Sequence, residues 1–96
     1  MAVLTSVSDA RIPPHNLQAE LSMLGVLMNS ADARTNGLQL LSGSDFYQSS
    51  HRWIFEAIQE LHASGDPVDV VTVGDVLRRD DMLEHCGGQR TLASIT

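Results

Sequence analysis

Lysine is missing altogether from this chain, whose whole basic inventory is six arginines set against twelve acidic residues, for a net charge of −6. Without lysine there is no G-x-x-x-x-G-K-[ST] loop, because the ammonium that reaches the outer phosphates of a nucleotide is gone. A motor of that kind is excluded. Arg78 and Arg79 are followed at once by Asp80 and Asp81, so no basic stripe is available to displace counterions from a phosphate backbone. Tight autonomous binding of nucleic acid is not expected. Cys86 is the single cysteine, which rules out an internal disulfide framework and fits a reducing compartment. No apolar run approaches the ~20 residues of a membrane span, and the opening M-A-V-L-T-S-V-S-D-A has neither the basic nor the apolar part of a secretory signal. A cytoplasmic protein without a membrane partner is expected. Aromatic residues make up only 4%, so aliphatic side chains must fill the interior.

What remains is a chain of 96 residues, 43% apolar and 19% charged, enough for one domain and too short for two. Residues 1–11 mix small and polar side chains without a period and read as a disordered arm, leaving 12–96 to fold. A chain of that size buries about 60–65% of its unfolded surface, so its core is modest. The segment that most needs packing partners is S-S-H-R-W-I-F-E-A-I-Q-E-L-H-A-S-G, Ser49 to Gly65. On a helical wheel Ile54, Ala57, Ile58 and Leu61 share one stripe, with Phe55 and Trp53 on its flanks, while Arg52, Glu56, Gln59 and Glu60 lie opposite. Ser49 or Ser50 is expected to cap its start, and Gly65 to close its end in the left-handed conformation.

Before it, Arg11-Ile12-Pro13-Pro14 delays helix formation. Asn16 then stands as an N-cap, and Leu17, Leu21, Leu24 and Met28 recur on one face. Ala19, Met23 and Val26 form a second apolar strip almost opposite, so this helix is either central in the bundle or turned towards a second chain. A further helix is expected from Ala31 to Leu41, closed by Gly43, with Phe46 and Tyr47 folding back onto the core from a tight turn. After Asp66-Pro67, a helix is expected from Val70 to Arg79, carrying Val73 and Leu77 inward. Its cap is either Thr72, paired with Asp75, or Asp69 one turn earlier. Gly87-Gly88 ends a short turn, and Gln89 to Thr96 opens another helix. The expected fold is all-α, a small orthogonal bundle of about five to six short helices. Its core is Leu17, Leu21, Leu24, Phe46, Ile54, Phe55, Ile58, Leu61, Val73 and Leu77.

No catalytic or cofactor-binding constellation emerges. His85 beside Cys86 invites a metal, but one thiol without a second cysteine or an H-E-x-x-H pair falls short of a closed site. The alternative is a polar residue near a helix end next to a small buried one. His51 is expected to satisfy first-turn groups rather than to catalyse, and Glu56 and Glu60 to form a solvated face.

Four words in order then resemble the amino-terminal domain of bacterial replicative DNA helicases of the DnaB type: P-P-H-N-L-Q-A-E-L-S-M-L-G, D-F-Y-Q-S-S-H-R-W-I-F-E-A-I, G-D-P-V-D-V-V-T-V and L-E-H-C-G-G. The resemblance implies a non-catalytic collar domain that associates in pairs above the motor ring and contributes to contact with primase or a loader. ATP and Mg would then belong only to the parent's motor domain. It implies self-association, for which the second apolar strip read above, Ala19, Met23 and Val26, supplies the candidate partner-binding residues, and it carries over no active-site position. In the family the pattern runs on past the Gly-Gly pair into a helical hairpin, so a truncated C-terminal end is expected. The competing reading is a stand-alone mobile-element protein that mimics this domain and competes for a host helicase or primase. A small enzyme on a helical scaffold is a third, for which no site is found.

Overall fold

The computed structural model describes residues 16–95; the arm expected over 1–11 and the Pro13-Pro14 entry lie outside them. Among the described residues five α-helices follow one another: α1 Leu17–Asn29, α2 Ala31–Leu40, α3 Ser49–Ser64, α4 Val70–Arg79 and α5 Gly88–Ile95, with a 3-10 turn at Gly43–Asp45. No strand occurs among the described residues. The longest helix, α3, packs on α4, α1 and the 3-10 turn, while α5 leans on α4 and α1, and α2 folds back on α1.

The local chemistry explains the boundaries. Asn16 accepts from the Ala19 N–H at 2.9 Å to open α1, and Ser30 accepts from the Ala33 N–H at 3.1 Å to open α2. Between them Arg34 turns back on the end of α1, donating to the Leu27 carbonyl at 2.9 Å and the Met28 carbonyl at 3.4 Å. It thereby serves acceptors that the helix itself leaves orphaned. At α4 the cap is Asp69: its Oδ1 accepts from the Val71 and Thr72 N–H groups at 2.8 and 2.9 Å, and Thr72 Oγ1 accepts from the Asp69 N–H at 3.0 Å. Gly65 ends α3 with φ 76°, and the Asp66 N–H reaches back to the Leu61 carbonyl at 3.0 Å.

The core is a single cluster in which Leu24, Leu27, Ile54, Phe55, Ile58, Val73, Leu77 and Leu92 are at most 1% exposed. The Phe46 and Phe55 rings stack obliquely within it, 5.0 Å between centroids. Leu61 is buried too, and Leu21 half-buried.

Several expectations need correction. Leu17, counted with the core, is 41% exposed: it shares the direction of Leu24 but is the first residue of α1, where no element among the described residues covers it. Tyr47 does not fold inward with Phe46; it is 56% exposed. The backbone at Phe46 is extended, and consecutive side chains on extended backbone point to opposite sides. Gly43 does not close α2, which ends at Leu40 with Leu41 as its extended cap; it begins the 3-10 turn instead. Neither Ser49 nor Ser50 caps α3, whose N-cap is Gln48 without a side-chain bond.

Candidate functional site

The segment just ahead of α3 is held by a carboxylate from another helix. Glu20 on α1 is fully buried, and its two oxygens accept from the Tyr47 and Gln48 backbone N–H groups just ahead of α3. Oε1 also lies 2.7 Å from His51 Nδ1. A carboxylate only accepts, so Nδ1 is the nitrogen that carries the proton. Burial pushes the Glu20 acid up, but the bonds from Tyr47, His51 and Gln48 outweigh it and hold the group below the usual carboxylate range. From the other side Arg52 donates through Nε to the Phe46 carbonyl at 2.9 Å and through a terminal nitrogen to the Tyr47 carbonyl at 3.0 Å. The D-F-Y-Q-S-S-H-R word is thus a polar latch that fastens the turn before α3 to α1.

The Glu20 carboxylate, His51 Nδ1 and the Arg52 guanidinium are all bonded within the latch, which ties the turn before α3 to α1. His51 is buried within it, a different role from the first-turn service expected of it. His85 and Cys86 do not converge on a metal: His85 Nε2 is 3.2 Å from Ser49 Oγ, while the Cys86 thiol is buried and donates to the Ser50 carbonyl at 3.5 Å. Burial pushes that thiol up to about 11, which removes the thiolate a ligand or nucleophile needs at neutral pH. Among the described residues no group of three or more His, Cys, Asp or Glu side chains is placed to hold a metal ion.

The candidate partner face divides. Ala19 and Met23 are half-buried and packed against the edge of the core, whereas Val26, one turn on, is 48% exposed. Gly25 beside them meets α5 closely: a methyl group there would sit 2.8 Å from the Ile95 carbonyl oxygen. Glu56 and Glu60 are exposed on α3. Glu60 is engaged by Arg79, whose guanidinium donates to both its oxygens at 2.7 and 2.9 Å and also to Asp80. That hydrogen bonding holds the Glu60 carboxyl below its usual range. Among the described residues no helix is long and apolar enough to cross a membrane.

Sequence reasoning missed Glu20, since a carboxylate flanked by leucines on a helix looks like a solvated position. The available signal was its place: it lies between Leu17 and Leu24, on the inward stripe.

With this geometry in hand, comparison with known proteins is specific. Residues 12–96 match the family model described as the DnaB-like helicase N terminal domain. The replicative DNA helicase DnaB of Leifsonia xyli subsp. xyli is 39% identical over 89 residues, 93% of this chain and 20% of that protein. The replicative DNA helicase DnaC of Bacillus subtilis is 38% identical over 92 residues, 96% of this chain and 20% of that protein. The chain therefore spans about a fifth of the length of these relatives. Among solved structures, the N-terminal domain of DnaB helicase from Mycobacterium tuberculosis superposes with a TM-score of 0.81 at 38% identity, covering 88% of this chain and 60% of that one.

Proposed function

Because the chain belongs to the family of DnaB-like helicase N-terminal domains, we propose that it is a non-catalytic assembly and docking domain of a replicative DNA helicase. In this reading it mediates subunit association and contact with primase or a loader during DNA replication, in the cytoplasm. The observation that carries the proposal is the family match over nearly the whole chain, joined to a fold in which the buried polar groups serve architecture. ATP and Mg then work in the motor domain of the parent helicase, and no cofactor is assigned to this chain. Self-association draws on the exposed part of the α1 face, with Val26 at its centre and Ala19 and Met23 at its margin.

Sedimentation of the purified chain, alone and mixed with the primase or the motor domain of its own replication system, tests this. A dimer or larger species alone, and a complex with either partner, are expected. A chain that stays monomeric at every concentration and joins neither partner, or one that hydrolyses ATP, overturns the proposal.

A further inference from the structure

Between α3 and α4 runs an open cleft of about 90 Å³. Its buried floor includes Ala57 and Val76, Trp53 forms a half-buried wall, and the exposed carboxylates of Glu56, Glu60 and Asp80 stand around it. Trp53, Glu56 and Glu60 recur at helical spacing on one flank of α3, which places an aromatic ring and two acids in line. Arg79 neutralises part of the rim by bridging Glu60 and Asp80. Three carboxylates against one guanidinium still leave the rim negative. Glu56 has no hydrogen-bond or ionic partner among the described residues, and neither does the Trp53 indole N–H.

We propose that this cleft is a docking slot for a basic side chain, arginine or lysine, presented by a short segment of a partner protein. An alkyl stem suits the apolar floor, a guanidinium or ammonium head meets the Glu56 carboxylate, and the indole face of Trp53 attracts the same cation. A second copy of this chain is a poor source. Of its arginines among the described residues, Arg34 and Arg52 are spent on backbone carbonyls and Arg78 and Arg79 on neighbouring acids, leaving Arg90. Nucleic acid is repelled by the same carboxylates that would hold a cation. The slot gives the docking reading above a surface and a partner chemistry, and it rests on that reading.

Trp53 is the only tryptophan in the chain, so its indole N–H resonance reports on the slot directly. The probes are a helical peptide with two arginines on a leucine-bearing face and its twin with glutamine at both arginine positions. The arginine peptide is expected to move the Trp53 resonance saturably, with the effect weakened by added salt, and the glutamine twin to leave it in place. Glu56→Gln, checked for unchanged helicity, is expected to weaken the arginine peptide about fivefold, the upper end for one exposed ion pair. Equal responses to the two peptides, or an unchanged affinity in Glu56→Gln, overturn the slot. Sedimentation of the unmodified chain with primase is independent of that failure, so the slot and the docking function fall separately.

Discussion

Glu20 and His51, thirty-one residues apart in sequence, meet at 2.7 Å in the interior, and their contact fixes where α3 begins relative to α1. Replacing Glu20 with Ala takes the acceptor away from the buried His51 Nδ1 and from the part-buried Tyr47 and Gln48 N–H groups at once. The expected loss is about 3–5 kcal/mol, a large share of the ~5–15 kcal/mol that keeps a domain folded. Glu20→Gln keeps an acceptor and the volume, and is expected to lose about 1–3 kcal/mol. Urea denaturation followed by circular dichroism measures both; an Ala variant no less stable than the Gln variant would contradict the latch.

The same carboxylate makes stability depend on pH. Its folded pKa is held below the ordinary value, whereas in the unfolded chain it returns to about 4.3. The stabilisation is therefore complete above the unfolded pKa and is lost as pH falls through the folded one. Thermal midpoints taken from neutral pH down to about pH 3 should fall steeply in the unmodified chain and less steeply in Glu20→Gln. Parallel profiles for the two would remove Glu20 as the cause. Glu60 is shifted the same way, but it is exposed and screened and adds little.

Gly25 allows a backbone contact that no other residue permits. The carbonyl oxygen of Ile95 would lie 2.8 Å from an added methyl group, and a backbone atom does not swing aside as a side chain does. Helix propensity alone favours Gly25→Ala by about 1 kcal/mol, yet the clash predicts the opposite sign, a loss of about 1–3 kcal/mol. Chemical denaturation decides between them. A stabilised variant would mean that α5 moves off α1 freely.

Much of this was legible in the sequence because it is local. Asp69 is one of the two caps the sequence offers, and α4 starts directly after it, with Thr72 closing the box on Asp69 rather than opening one with Asp75. Gly65 ends α3 for a reason contained in one residue. The stripe through Ile54, Ile58 and Leu61 faces inward since a helix this amphipathic has only one side to bury. What escaped was decided across distance. Leu17 obeys the inward period and still faces water, because burial requires a neighbour as well as a direction. Glu20 breaks the apolar pattern and is still buried, because three donors from a segment more than twenty-five residues away offset its desolvation. The cleft beside Trp53 escaped likewise, for it exists only where α3 and α4 meet.

Cys86 should behave as an inert thiol. It is 3% exposed, and burial raises its pKa to about 11, so neither access nor thiolate favours alkylation at neutral pH. Iodoacetamide is expected to label it slowly in the native chain and rapidly in urea, with mass spectrometry counting the adduct. Fast native labelling would mean that the segment between α4 and α5 opens readily, since Cys86 lies there against the Ser50 carbonyl.

Val26 offers the cleanest separation of interface from core on α1. Met23 belongs partly to the core, so Met23→Glu would confound assembly with folding. Val26 is 48% exposed, and a charge there costs the monomer within about 0.5 kcal/mol, as for other open surface sites. If α1 meets a second chain through this position, the added carboxylate must be desolvated at the contact, and twice over where the contact is symmetric. Val26→Glu is therefore expected to keep its helicity and thermal midpoint while sedimenting as a monomer. An unchanged oligomer moves the pairing surface elsewhere on the bundle, and a melted fold would show that Val26 carries packing its exposure does not reveal.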